Sequence, residues 1–396
     1  MNPLLKIEEP PRAAPAGFAL FALGFRPFYL LASVFAALSV PLWALQFSGL
    51  LPHAYLAGPI WHAHEMLLGF TLAVIVGFLF TAGRNWTNLP TPTGWALAAL
   101  AALWLAARVL VLTPYAVAAA VANVAFPLAA AVGLALPFFK SRNRRNYFFV
   151  ALLAVLALAA ACVHAAQLGV ITVPGWLGIQ VALDVVLFIL SVMGGRVIPM
   201  FTNNGVPGAG AVRDERVEKA ALGATLALLA ADALGLQGTP LAAVALVACA
   251  AQAGRWALWR PWQTLHVPLV WVLHLAYLWV PVHLLLRGLA QWGWVLPSVA
   301  THALTVGAVG GLVIGMMTRT ARGHTGRLLK ADRCEVACYL LVAAAAAVRV
   351  LLPLAAPGQA VHAALASALL WSAGFGLYAL RYWPVLSRPR IDGRPG

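Results

Sequence analysis

Charged residues are scarce in this sequence: only 9% of its 396 residues are Asp, Glu, Lys or Arg, whereas 63% are hydrophobic. A soluble domain of this length needs far more polar surface, so the composition excludes a soluble enzyme or binding module. The connections between apolar runs are also short, and the longest, 202–216, cannot bury a core of its own. We therefore expect any chemistry to take place in or at a membrane.

Acidic residues and cysteines are few as well. The sequence has 11 acidic residues against 26 Lys and Arg, which gives a net charge of +15. Because the basic residues lie at the ends of apolar runs, as membrane topology requires, this charge does not indicate a nucleic-acid partner. The four cysteines form no disulfide framework, and Cys334 and Cys338, one helical turn apart, are a weak metal signal by themselves. Residues 1–17 are rich in proline, do not resemble a signal peptide and are expected to form a disordered cytoplasmic lead.

Apolar runs follow one another along the rest of the chain, and about 20 apolar residues suffice to cross a bilayer. Twelve spans are predicted, at 26–47, 61–83, 93–112, 115–139, 146–168, 176–199, 217–235, 240–258, 265–287, 296–318, 333–353 and 361–384. The expected fold is an all-α polytopic membrane protein with a single transmembrane domain, 18–386, and a cytoplasmic tail, 387–396.

Lys and Arg are concentrated in alternate connections between these spans. The connections on the other side hold almost none, with Arg287 as the clearest exception and Arg108 and Arg349 near helix ends. The positive-inside rule then predicts that both termini are cytoplasmic.

Six histidines are predicted to lie between the middle of the membrane and its outer face: His62, His64, His164, His274, His283 and His302. Ionisable groups are costly inside a membrane and usually mark a functional site. Histidines that only pack against neighbouring helices have no reason to share a depth, although each one singly could be such a packing residue. Imidazole suits both haem iron and copper. The remaining histidines, His53, His266 and His362, are expected at the membrane surfaces.

The second span opens with His62, His64 and Glu65. On a regular helix His62 and His64 point about 200° apart and cannot share a metal. They serve two sites, or one is a ligand and the other a supporting group. Glu65 lies three residues after His62 on one helical face, so its carboxylate is expected to orient that imidazole or to carry protons.

Two further polar groups lie within predicted spans. Tyr277 shares a helical face with His274 and is expected to donate a hydrogen bond to it if the imidazole is a metal ligand. Asp184 is a buried charge in span 6, for which a proton path and a structural role are both open.

Spans 2 and 10 show signs of an internal repeat. Aligning His64 with His302 also matches Gly69 with Gly307, Gly77 with Gly315 and Arg84 with Arg322. The offset is eight spans, so both copies run in the same direction. Span 6 also runs inward and ends in Gly194, Gly195 and Arg196, which is consistent with three units of four helices.

A basic, glycine-containing stretch at 317–327 is expected to be a loop on the cytoplasmic side. It either cradles an anion, such as haem propionates or a phosphate group, or is an ordinary positively charged turn. Arg322 and His324 in this stretch are candidate cofactor-binding residues, as is Arg196 at the end of span 6.

The motifs WHAHEML at 61–67, GGRVIP at 194–199 and GHTGR at 323–327 resemble the signatures of the NnrS family. GFRPF at 24–28, HALTVG at 302–307 and the stretch from Pro268 to Tyr277 fit the same pattern. The resemblance implies a polytopic inner-membrane protein that contains haem and copper and is associated with bacterial responses to nitric oxide. By matching the motifs, it identifies five candidate site residues, His62, His64, His274, His302 and His324. His164 and His283 are candidates because of their depth alone.

The architecture is also similar to that of haem-copper oxidase catalytic subunits, with twelve spans, an inside N-terminus and outer-half histidines on spans 2 and 10. Two features of that architecture are missing from the sequence: span 6 has no histidine, and span 7 lacks the pair expected for a copper site.

The first functional hypothesis is a protein that binds haem, of b type, and copper and handles nitric oxide as a sink, a sensor or an oxidoreductase. Metal ligands would come from the six histidines, with Glu65 and Tyr277 as catalytic or proton-handling groups. Partners would be nitric oxide and an electron donor or denitrification proteins. The alternatives are a secondary transporter that uses the His and Glu cluster for proton or metal coupling, and a scaffold that protects or assembles metalloenzymes.

Overall fold

The structure, a computed structural model, describes residues 17–47, 49–51, 55–56 and 58–393. His53, almost all of the predicted lead and the last three residues of the tail lie outside these ranges. Within them the chain forms twelve long helices and no strand. They are α1 (Phe25–Phe47), α2 (Gly58–Thr87), α3 (Gly94–Leu110), α4 (Ala116–Lys140), α5 (Tyr147–Gln167), α6 (Gly175–Gly205), α7 (Glu215–Ala233), α8 (Thr239–Leu258), α9 (Pro268–Ala290), α10 (Pro297–His324), α11 (Arg333–Ala355) and α12 (Ala360–Ser387).

These helices coincide with the twelve predicted spans, and the expected polytopic all-α fold is confirmed. Ten of the described helices are long and apolar enough to cross a membrane. The other two are α3, which has 17 residues, and α7, which begins with the charged residues Glu215, Arg216, Glu218 and Lys219. Twelve crossings with cytoplasmic termini therefore stay a prediction.

Two helices run six residues further than predicted. The α6 helix continues to Gly205 and α10 to His324. The predicted loop at 317–327 is therefore wrong over most of its length, because 317–324 complete the last turns of α10.

Helices that follow one another in the chain pack side by side, and α1 also packs along α12, which closes the bundle into a ring. Inside the ring lie α2, α6 and α10, with 89%, 72% and 67% of their most apolar windows buried. The most apolar window of α9 is also 67% buried, whereas those of six outer helices are only 33–44% buried. The predicted equivalence of spans 2, 6 and 10 thus has a counterpart in their central positions.

Both α2 and α10 change from α-helix to π-helix immediately after an aligned histidine. In α2 the wider turns cover Glu65–Thr71, directly after His64, and in α10 they cover Ala303–Gly310, directly after His302. A π-helical segment often marks a functional site, because it shifts the side chains that precede it relative to those that follow. The repeat inferred from the sequence is therefore also a repeat of backbone geometry.

The aligned glycines of the two helices are both points of close approach. A Cβ atom on Gly69 would lie 2.5 Å from the Arg108 guanidinium, and one on Gly307 would lie 2.4 Å from the Trp279 ring. The absence of a side chain at these positions lets neighbouring helices place large groups against the π-helical segments.

Candidate metal centre

Two buried histidines from different helices meet at the start of the π-helical segment of α2. The rings of His64 on α2 and His164 on α5 have centroids 4.9 Å apart and are nearly perpendicular. Nδ1 of His164 lies 2.9 Å from the hydroxyl of Tyr55, in the connection before α2. Burial raises the pKa of Tyr55 to about 12, so its phenol stays protonated at physiological pH.

A buried ion pair supports this histidine pair. Oε1 of Glu65 accepts hydrogen bonds from Nδ1 of His64 at 2.8 Å and from Arg108 at 2.5 Å. The same guanidinium donates to Oδ1 of Asn123, whose amide is anchored on α4 by donating to the Ala119 carbonyl at 2.8 Å. We call these five side chains, His64, Glu65, Arg108, Asn123 and His164, the His64 centre. All five are buried.

The hydrogen bonds of the His64 centre define the free atoms of its histidines. A carboxylate only accepts, so the proton of His64 is on Nδ1, and Nε2 presents a lone pair. Nε2 of His64 and Nε2 of His164 are both buried and have no hydrogen-bond partner among the described residues. An imidazole held by a carboxylate at one nitrogen and free at the other is typical of a metal ligand.

A large cavity adjoins the His64 centre at the same end of the bundle. It has a volume of about 1110 Å³, comparable to the upper end of ligand-binding pockets, and its wall is mostly apolar. Three predicted site residues lie in its wall, His62, His283 and His302. We call it the histidine cavity.

The rings of His62 on α2 and His302 on α10 lie opposite each other. Their ring centroids are 6.4 Å apart and their planes differ by 16°. A metal lies about 2 Å from an imidazole nitrogen, so two imidazoles on one metal have centroids about 5 to 6 Å apart, depending on the angle at the metal. The His62–His302 and His64–His164 separations are both close to this range. The expectation that His62 and His64 serve different sites agrees with this arrangement.

Backbone carbonyls orient two of the cavity histidines, His283 and His302. Nδ1 of His302 donates to the Ser298 carbonyl at 2.6 Å, and Nδ1 of His283 donates to the Ala300 carbonyl at 2.7 Å. Because a carbonyl only accepts, Nε2 of both rings carries a lone pair. Nε2 of His283 is buried without a partner in the described part of the chain.

The polar part of the cavity wall contains charges of both signs. Arg287 bonds Asp184 at 2.9 Å and also contacts Asp232, which makes a buried triad. Asp184 is thus paired, and its role as a proton-path group stays a prediction. Arg349 also lines the cavity, half-buried, and no hydrogen bond or ion pair joins it to another described residue.

His274 lies away from these sites. Its Nε2 contacts the Thr202 hydroxyl at 2.8 Å, and Thr202 is near the C-terminal end of α6, whereas His64 is near the N-terminal end of the parallel helix α2. The prediction that His274 shares the depth of the other histidines is wrong. The Thr202 hydroxyl donates to the Ile198 carbonyl, so Nε2 of His274 is the donor, and its buried Nδ1 has no partner in the part of the chain that the structure describes.

Two predicted hydrogen bonds are also wrong. Glu65 orients His64 and not His62, because the helix widens at Glu65. Tyr277 does not bond His274; its hydroxyl donates to Gln252 at 2.6 Å and accepts from Arg255 at 3.1 Å.

The glycine pair of α6 makes room for this Tyr277 network. A Cβ atom would lie 2.5 Å from the Tyr277 ring at Gly194 and 1.8 Å from the Arg255 guanidinium at Gly195. Arg255 forms two hydrogen bonds to Glu218, each 3.0 Å long. The geometry gives Tyr277 a role in helix packing, and its catalytic role stays a prediction.

The basic candidate residues lie apart from the histidines. Arg322 bonds Glu335 at 2.7 Å, which joins α10 to α11. His324 packs against the Phe25 ring with centroids 5.6 Å apart, and its carbonyl accepts from Arg390. Arg196 bonds Asn146 at 2.8 Å. Their binding of a haem propionate has no support in these contacts.

Four residues of the two sites were not identified from the sequence: Tyr55, Arg108, Asn123 and Arg349. An arginine within an apolar run is the sequence signal for Arg108 and Arg349, but both also lie near predicted helix ends, where basic residues are common. Nothing in the sequence pairs Arg108 with Glu65, 43 residues earlier. Among the described residues no group of three or more His, Cys, Asp or Glu side chains has the arrangement of a metal site, and each histidine pair contains two imidazoles.

Comparison with known proteins supports the resemblance seen in the motifs. The family model described as NnrS protein matches residues 19–390, nearly the whole chain. A search of curated proteins found no match. The matched region contains every helix and both histidine sites, and on this evidence the chain belongs to the NnrS family.

Proposed function

We propose that this protein binds haem and copper in the inner membrane of a bacterium and handles nitric oxide. Membership of the NnrS family suggests a membrane protein related to nitric oxide. The observation that carries the cofactor proposal is that Nε2 of His64, His164 and His283 is buried near a large apolar cavity and has no hydrogen-bond partner among the described residues.

The histidine cavity fits a haem. A membrane haem needs an apolar slot between helices and one or two imidazole ligands, because the porphyrin supplies the other four nitrogens. His62 and His302 are the favoured ligands, since they face each other, with His283 as a further candidate in the same wall. Arg349 would pair with a propionate, because it is a cation without a counter-ion among the described residues. Haem iron held by one of these imidazoles alone would keep a position free for nitric oxide.

The His64 centre fits copper. Imidazole nitrogen suits copper, and the pair of His64 and His164 offers two buried nitrogens outside the lining of the histidine cavity. Glu65 would fix the orientation of His64 and increase its basicity, while the hydrogen bond from Arg108 would hold the carboxylate in place. The role of Glu65 is thus that of a positioning residue.

A secondary transporter is the second candidate, favoured by one observation. The histidine cavity also reaches Asp232 and Arg287, which form a buried triad with Asp184, and such charges commonly couple ions to transport. A transporter predicts substrate-coupled proton movement and no stoichiometric metal.

The decisive experiment is a reduced-minus-oxidised spectrum of purified protein, with iron and copper counted per chain. His62→Ala and His302→Ala should lower bound haem, whereas His64→Ala and His164→Ala should lower copper and leave the haem bands in place. His362→Ala is the matched control, because His362 is exposed at the start of α12. A folded wild-type protein without colour or metal would exclude the proposal and favour the transporter. An electron donor or denitrification proteins are the partners to test next.

A further inference from the structure

A second, smaller cavity lies at the opposite end of the bundle. Its volume is about 340 Å³. Six residues line it: Trp86, Asn143, Arg145, Asn146, Arg196 and Arg213. Trp86 follows His64 by 22 residues on α2, which places the two about 33 Å apart along the helix axis. This arginine cavity is therefore separate from both histidine sites.

The lining of the arginine cavity carries positive charge only. Three of its six residues are arginines and none is acidic. Arg213 contacts Glu218 outside the lining at 3.4 Å, but neither Arg145 nor Arg196 forms an ion pair within the described part of the chain. Three guanidinium groups around one space repel one another unless an anion lies between them.

The guanidinium of Arg196 is held in a fixed position. It donates to Oδ1 of Asn146 at 2.8 Å and lies over the rings of Trp86, Phe148 and Phe149, with its central carbon 5.5–5.9 Å from their centroids. Of its five N–H donors, one is used by a described residue. A rigid guanidinium with free donors is suited to bind the oxygens of a phosphate.

The asparagines complete this arrangement. Asn143 donates to the Trp86 carbonyl at 3.1 Å, and Asn146 donates to the Asn143 side chain at the same distance. The connection between α4 and α5 is thereby tied to the end of α2. These hydrogen bonds hold the cavity in shape before a ligand binds. Binding would therefore cost little free energy for ordering the protein.

We propose that the arginine cavity binds a phosphate group, namely that of an anionic phospholipid headgroup. The cavity lies among helix ends, and nearby on α4 the ring of Phe139 is 56% exposed, which offers an apolar surface for an acyl chain. Basic pockets between membrane helices are known sites for anionic headgroups. The motif residue Arg196 thus acts on lipid and not on a cofactor.

The test uses the full chain in detergent and follows its thermal stability while phosphatidylglycerol is added to the micelles. A ligand that binds the folded state raises the Tm, and the half-maximal mole fraction reports affinity. Phosphatidylcholine tests whether a net negative headgroup is needed. Inorganic phosphate without lipid tests whether soluble phosphate fills the cavity instead.

Arg145→Gln and Arg144→Gln form a matched pair, because both residues are exposed, adjacent and basic, but only Arg145 lines the cavity. We expect Arg145→Gln to raise the half-maximal mole fraction about fivefold and Arg144→Gln to leave it unchanged. Arg196→Gln should raise it further, with helicity checked by circular dichroism. Equal shifts in Arg144→Gln and Arg145→Gln, or none in either, would overturn the proposal. Stabilisation by inorganic phosphate that Arg145→Gln weakens would keep the phosphate site and assign it to a soluble ligand.

Discussion

Glu65 lies 2.8 Å from Nδ1 of His64, its neighbour in the chain, and so acts on the ring beside it. Adjacent side chains on a regular helix point about 100° apart and do not meet. The π-helical segment that begins at Glu65 brings the two together. A single carboxylate oxygen thereby orients an imidazole and neutralises Arg108.

Glu65→Gln tests this arrangement, since it keeps the side-chain volume and removes the charge. Copper affinity should fall about 10- to 100-fold, as for other residues that orient a metal ligand. Stability should fall by about 3 to 5 kcal/mol, because Arg108 is left buried without a counter-ion. Copper content and denaturation midpoints measure the two effects. Glu215→Gln is the control, because its carboxylate is exposed and pairs only with Lys219; unchanged copper binding in Glu65→Gln would contradict the assignment.

Arg287 and Arg349 line the same cavity, but removing the charge of each should have different effects on the stability of the protein. Arg287→Gln leaves Asp184 and Asp232 buried without a cation, which should cost about 3 to 5 kcal/mol in haem-free protein. Arg349→Gln removes a cation without a counter-ion among the described residues, so the haem-free protein should be as stable as wild type or more so. Haem titration should show weaker binding to Arg349→Gln. Equal losses of stability in both variants would show that Arg349 is paired within the protein.

Gly195→Ala should be strongly destabilising. The added methyl group would lie 1.8 Å from the Arg255 guanidinium and 2.5 Å from the Glu218 carboxylate, so the buried pair must move. Overpacking of this kind costs about 1 to 3 kcal/mol or more. Gly223→Ala on α7 is the control, because nothing lies within 4 Å of the added atom, and helix propensity should raise stability by about 1 kcal/mol. Thermal denaturation of both variants decides the matter; a tolerated Gly195→Ala would refute the packing explanation.

Asp332 should make stability depend on pH in the acid range. Partial burial alone would raise its pKa, but hydrogen bonds from Arg381 and the Glu335 backbone, with the nearby arginines, bring the pKa below its usual value of 3.8. A lowered pKa in the folded state stabilises the protein above pH 3.8, and this contribution is lost as the pH falls through the folded-state pKa. Asn also caps helices well, so Asp332→Asn removes the charge and keeps the cap of α11. Its unfolding midpoint should depend less on pH below 4 than that of wild type, and an identical pH profile would contradict this.

The helices and the positions of most site histidines could be predicted because both depend on local sequence. Apolar runs mark the spans, and a fixed rise per residue converts position into depth. This reasoning placed His62, His64, His164, His283 and His302 correctly at one end of the bundle. It failed for His274, because α9 covers Pro268–Ala290 and not 265–287, which leaves His274 in its second turn.

Side-chain partners were much less predictable. Helical-wheel reasoning pairs Glu65 with His62 because it assumes a regular helix, and local residue spacing does not mark a π-helical segment. The Arg108–Glu65 and Arg255–Tyr277 contacts join different helices, so they depend on how the bundle closes. Local spacing contains no information on that closure.

The ring of helices closes through its first and last members. The Ser387 carbonyl accepts from the Ala19 amide at 2.8 Å, and Arg26 donates to the carbonyls of Leu386 and Arg388. A ribosome releases α1 first and α12 last, so α1 enters the bilayer long before the neighbour that covers its flank exists. Until synthesis ends, lipid or an insertion factor must occupy that flank. Ribosome-bound chains that stop before α12 should therefore be open bundles with a gap along α1, and the ring can be sealed only after translation has finished.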